Sequence, residues 1–99
     1  EVRRRFVESA LAATTSPTIE PVLALAEAAK KDKDRLASNI AALASELAAR
    51  AGEAARAGKA DAEALAIRGR FALTALEHLA QNGSAQLVVE AMLMRMRAV

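Results

Sequence analysis

Apolar residues recur at spacings of three and four along most of this chain, most clearly at Leu36, Ile40, Leu43 and Leu47. That period places them on one face of an α-helix, with the opposite face left polar. The same pattern places Val2, Phe6, Ala10 and Ala13 on a first helix over residues 1–13, with Val7 and Leu11 beside them. Thr14-Thr15-Ser16-Pro17 is a turn signal. Thr18 is the expected cap of a second helix over 19–30, with Pro21 in the first turn, where no intrahelical N–H is needed. Asp32 or Asp34 is the expected cap of the third helix, whose stripe ends near Arg50. Residues Ala51 to Ala60 are small and polar; part of this stretch continues as helix, and Gly58-Lys59 is the expected break. Asp61 is the expected cap of a fourth helix with a stripe of Leu65, Gly69, Leu73 (with Ala72), Leu76 and Leu79 or Ala80. Gly69 costs about 1 kcal/mol relative to Ala within a helix, so its place on the stripe implies close approach of another helix. Asn82-Gly83 reads as a stop with Gly at the left-handed position, and Ser84 as the cap of a last helix ending near Arg97. Five helices, no strand and short connections predict an all-α fold: a single antiparallel, mostly up-and-down bundle.

Alanine supplies 27 of the 99 residues, so the helices can pack closely and present flat apolar faces to a neighbour. The chain is the size of one domain. It opens on Glu1-Val2 and enters helical periodicity at once, which suggests a fragment, residues 1–99, of a longer protein. Fourteen basic and twelve acidic side chains leave a net charge of +2. That is too little for a strongly basic nucleic-acid module. There is no Cys, Trp or Tyr and there are two Phe, which excludes disulfide frameworks and thiolate metal sites and leaves little for base stacking. No apolar run approaches the roughly 20 residues that span a bilayer. These features together predict a cytoplasmic helical protein.

The search for chemistry yields no catalytic, cofactor-binding or metal-binding residue. His78 is the one histidine. Its helical-face neighbours Thr74, Ala75, Gln81 and Asn82 include no acid and no second ligand, so it reads as a surface or boundary residue. The carboxylates read as surface partners at i,i+4: Glu1 with Arg5, Arg4 with Glu8, Glu27 with Lys31, and Glu46 with Arg50. No P-loop, G-x-G-x-x-G or G-x-S-x-G is present. Arg68-Gly69-Arg70 reads as helix surface around a packing glycine. The methionines of the last helix point two ways: Met92 and Met96 share one face, and Met94 lies on nearly the opposite one. A helix apolar on two faces is covered twice, either by its own bundle and a partner or as a central core helix.

The segment Asn82-Gly83-Ser84-Ala85-Gln86-Leu87-Val88-Val89-Glu90-Ala91-Met92-Leu93-Met94-Arg95-Met96-Arg97 resembles the end of bacterial clamp-loader subunits, with the delta prime subunit of DNA polymerase III as the nearest look-alike. The resemblance rests on Asn82 before the cap, Leu87, Val89-Glu90, the Met92-Leu93-Met94 run and Arg95. Ser84 stands where that family often has a second Asn. The arginine-rich opening helix, the alanine-rich second helix and the Lys-Asp turn at 31–34 agree in layout. The gamma and tau paralogues end similarly and stay open as alternatives. The resemblance implies a collar: a C-terminal helical domain that packs beside those of sister subunits, holding together the ATP-dependent complex that loads the sliding clamp during DNA replication. It implies no enzymatic activity and no cofactor for this segment. Other clamp-loader subunits are the implied partners, with DNA reached only indirectly. The expected partner interface lies on the fourth and fifth helices, and its named residues, all on the fifth, are Leu87, Glu90, Leu93, Met94, Arg95 and Arg97. A different class of reading is a small helical nucleic-acid-binding or regulatory module using Arg3, Arg4, Arg5, Lys30, Lys31, Lys33 and Arg35.

Overall fold

The computed structural model describes residues 2–81 and 83–99. Among these, five α-helices form and no strand does: α1 (Val2–Thr15), α2 (Glu20–Lys31), α3 (Leu36–Arg56), α4 (Ala62–Ala80) and α5 (Ala85–Arg97), with one 3₁₀ turn at Lys33–Arg35. The all-α bundle predicted from the periodicity is the fold observed.

The helices pack in a closed cycle, α1–α2–α5–α4–α3 and back to α1, with α1 also reaching α5. The α3/α4 pair packs most extensively. Its directions follow from reach. Five residues join the two helices and span at most about 17 Å, whereas α3 is about 31 Å long. Only an antiparallel hairpin satisfies both. Gln86 at the start of α5 donates to Glu27 late in α2, and Arg97 at the end of α5 reaches Thr18 just before α2, so these two helices are antiparallel as well. Val2 and Arg3 line one groove with Arg35 and Ser38, so α1 and α3 run parallel. The up-and-down order holds along the chain, but α2 packs on α5 rather than on its chain neighbour α3.

The core is the face that the periodicity marked. Leu36, Ile40, Leu43 and Leu47 are fully buried, together with Val22, Val89, Leu93 and Met96. Alanines fill the tight crossings: Ala10, Ala13, Ala26 and Ala72 have no exposed surface. The fourth stripe turns differently from the expectation. Ala72 and Ala75 face inward while Leu73 is 53% exposed.

Helix ends account for most of the other corrections. α2 begins one residue after Ile19, which sits at the cap position with no side-chain hydrogen bond. Thr18 does not cap it; its backbone N–H donates to Ser16 Oγ at 3.3 Å. Pro21 lies in the first turn as expected. Neither Asp32 nor Asp34 caps α3, because the 3₁₀ turn intervenes and leaves Arg35 at the cap position. Asp61 does occupy the cap position of α4, contributing its backbone carbonyl to Leu65 N–H at 3.0 Å rather than its side chain. Ser84 Oγ accepts from Leu87 N–H at 3.5 Å, as its position predicted.

The two glycine-marked stops work by different means. Gly58 ends α3 with φ +69°. Lys59 N–H donates to Ala54 O at 2.8 Å and Gly58 N–H to Ala55 O at 3.1 Å, the paired bonds of a Schellman ending. Gly83 does not adopt the left-handed conformation. It is small because a Cβ there would lie 2.7 Å from His78 O and 2.9 Å from Val88 Cγ2. Asn82 and Glu1, with the stop signal and the Glu1–Arg5 pair assigned to them, lie outside the described residues.

Candidate partner interface

α5 is the centre of the candidate site. Residues one turn apart on its inner side, Val88, Val89, Met92, Leu93 and Met96, are buried against the other helices. Leu87, Ala91 and Met94 follow at spacings of four and three, which aligns them on the outer side. Leu87 is 65% and Met94 42% exposed, and Ala91 is exposed too. The two-faced methionine pattern is thus resolved: Met92 and Met96 fill the core, and Met94 faces out.

The six residues expected at the interface divide accordingly. Leu87, Met94 and Arg95 are exposed and Glu90 is half-buried beside them. Leu93 has no exposed surface and belongs to the core, so it cannot touch a partner. Arg97 is engaged within the chain. Its Nη1 donates to the carbonyls of Ala13 at 3.1 Å, Ser16 at 2.7 Å and Thr18 at 3.0 Å. These carbonyls belong to the α1 end and the turn after it, which no helix ladder satisfies.

A second apolar surface lies between α3 and α4. Ala41, Ala44, Ala48 and Gly69 leave a groove of about 620 Å³, with Leu73 and Leu76 also lining it. The groove exists because those positions carry almost no side chain. At Gly69 the helices do not approach closely enough to require glycine: an added Cβ would stand 3.6 Å from Leu47 Cβ, which is ordinary packing distance.

Arg68 has a role that its surface assignment missed. Its Nε donates to Met96 O and its Nη2 to Val99 O, each at 3.1 Å, fastening the end of α5 to α4. Of the expected surface pairs, Arg50 Nε meets Glu46 Oε2 at 2.7 Å. Glu27 instead accepts from Gln86 Nε2 at 3.4 Å, and Arg4 and Glu8 form no pair with each other. His78 is exposed. Among the described residues no three His, Cys, Asp or Glu side chains are grouped to hold a metal, and no helix is long and apolar enough to cross a membrane.

Comparison with known proteins finds no matching family model, no matching curated protein and no matching solved structure. The class is defined by the fold itself: a five-helix all-α bundle with apolar side chains displayed on its last helix.

Proposed function

We propose that this chain is an assembly domain, the collar piece of a clamp-loader subunit resembling the delta prime subunit of bacterial DNA polymerase III. In this reading it acts in the cytoplasm during DNA replication, and its partners are the C-terminal helical domains of sister subunits. It performs no catalysis itself and needs no cofactor. The ATP-dependent work belongs to other modules of the complex.

The observation that carries the reading is the exposure of Leu87 and Met94 on a helix whose other face is the core of the bundle. Burying a large apolar side chain is worth about 1.5–3 kcal/mol, so an aligned pair of them is a strong incentive to association. The segment that carries the clamp-loader resemblance is the segment that carries this stripe. A subunit within a ring also needs two different surfaces, one for each neighbour. The α5 stripe and the α3/α4 groove supply two.

The test is co-purification with full-length sister subunits. Leu87→Asp and Met94→Asp remain helical by circular dichroism and lose binding by at least about ten-fold, each introducing a charge into a desolvated contact. Undiminished binding by both folded variants removes α5 as the interface.

A further inference from the structure

The net charge of +2 conceals a segregated distribution. The first turn of α1 carries Arg3, Arg4 and Arg5, and the chain from the end of α2 into α3 carries Lys30, Lys31, Lys33 and Arg35. The topology brings these two stretches to one end of the bundle. Val2 and Arg3 line a groove with Arg35 and Ser38, and Arg5 lines another with Asp32 and Leu36. Half of the chain's fourteen basic side chains are therefore gathered here, with only Asp32 and Asp34 among them in these two stretches. All seven are exposed.

One further observation, the helix position of Lys33 and Arg35, separates this cluster from an ordinary solvated face. Outside the cluster, Arg50, Arg68 and Arg97 have partners within the chain, while Arg56, Lys59, Arg70 and Arg95 have none among the described residues. Among the described residues, Arg4, Arg5, Lys30, Lys31, Lys33 and Arg35 make no ion pair and no side-chain hydrogen bond. Lys33 and Arg35 lie at the N-terminus of α3, with Arg35 itself at the cap position and no side-chain cap bond. A helix N-terminus carries partial positive charge and favours Asp, Ser or Asn. Lys33 and Arg35 oppose the local electrostatics there, with Asp32 and Asp34 beside them, whereas Lys30 and Lys31 in the last turn of α2 complement theirs.

We propose that this basic end binds the phosphodiester backbone of duplex nucleic acid without sequence preference. The chemistry selects a duplex backbone over single-stranded bases because the patch offers no stacking surface: Phe6 is buried in the core and Phe71 is half-buried on α4. It selects nucleic acid over a lipid surface because residues 3–5 and 30–35 include no apolar side chain to anchor in a bilayer. Phosphate neutralisation by Lys and Arg releases counterions, so binding falls steeply with salt.

Fluorescence anisotropy with a labelled 20-base-pair DNA duplex tests this, using the 99-residue chain. Expected is micromolar affinity at 50 mM salt that weakens by on the order of 100-fold by 200 mM, as about four phosphate contacts require. Arg4→Gln/Arg5→Gln/Lys33→Gln/Arg35→Gln lowers the salt slope by about one for each phosphate no longer neutralised and weakens binding at least ten-fold, with no fall in melting temperature. Arg56→Gln/Lys59→Gln, at the far end of the α3/α4 hairpin, changes little. The proposal is overturned if the duplex does not bind at 50 mM salt. It is overturned equally if the quadruple variant binds like wild type, or if phosphatidylserine vesicles or a single strand bind more tightly than the duplex.

Discussion

Arg97 Nη1 lies 2.7 Å from Ser16 O, joining residues 81 positions apart. With Ala13 O and Thr18 O it makes a three-carbonyl clasp that ties the end of α5 to the α1–α2 turn. Pro17 has no N–H to offer that turn, so the guanidinium supplies the donors. Hydrogen bonds to a charged group contribute more than neutral ones. Arg97→Ala is expected to cost about 1–3 kcal/mol in urea unfolding, whereas Arg95→Ala, on an exposed neighbour, changes stability by less than about 0.5 kcal/mol. Equal effects at the two positions remove the clasp from the account.

Leu93 and Met94 are adjacent in sequence and opposite in role. Leu93 has no exposed surface and Met94 is 42% exposed. Leu93→Ala is expected to lose about 2–5 kcal/mol of stability, and Leu93→Asp to prevent folding. Met94→Asp leaves thermal unfolding nearly unchanged and acts on association. Circular dichroism melts of the two aspartate variants separate the roles directly.

Gly58 and Gly69 respond oppositely to a methyl group. At Gly58 nothing lies within 4 Å of an added Cβ, but φ is +69°, so Gly58→Ala meets only the backbone penalty of about 1 kcal/mol. At Gly69 the Cβ finds ordinary contact at 3.6 Å, and Ala gains up to about 1 kcal/mol of helix propensity. Gly69→Ala therefore raises the melting temperature and Gly58→Ala lowers it. The reverse order contradicts both assignments.

Asn39 is buried on α3, and its Oδ1 finds no donor among the described residues. It borders the spaces beside the start of α1, so a larger apolar side chain has room there. Asn39→Leu is expected to stabilise by about 1–2 kcal/mol through removal of an unpaired acceptor. A fall in stability shows that the amide is satisfied in solution.

Periodicity carried the fold. A long stripe such as Leu36–Ile40–Leu43–Leu47 encodes both a helix and its buried face. Caps were less legible, because a capping residue type reports local preference while the chain's route decides which carbonyls and amides remain exposed. Thr18 and Asp32 have the chemistry of caps, yet the turns around them place Ile19 and Arg35 at those positions. The α5 pattern revealed two apolar faces but not which one turned outward. That depended on α2 packing against α5 instead of α3, a pairing of distant segments. The roles of Arg68 and Arg97 were hidden for the same reason: their acceptors are 28 or more positions away in sequence. The two basic stretches were legible as runs in the sequence, but their meeting at one end of the bundle was not, since it depends on how α1 and the α2–α3 turn pack.

The central claim is that the outer face of α5 joins this chain to sister subunits, and light scattering tests it most directly. The mass of the chain is measured alone, then with full-length clamp-loader partner subunits, and again with Met94→Asp in place of wild type. The account predicts a new heteromeric species with wild type that is lost with the folded variant. No heteromeric species with any full-length partner, or one that forms equally well with Met94→Asp, contradicts it.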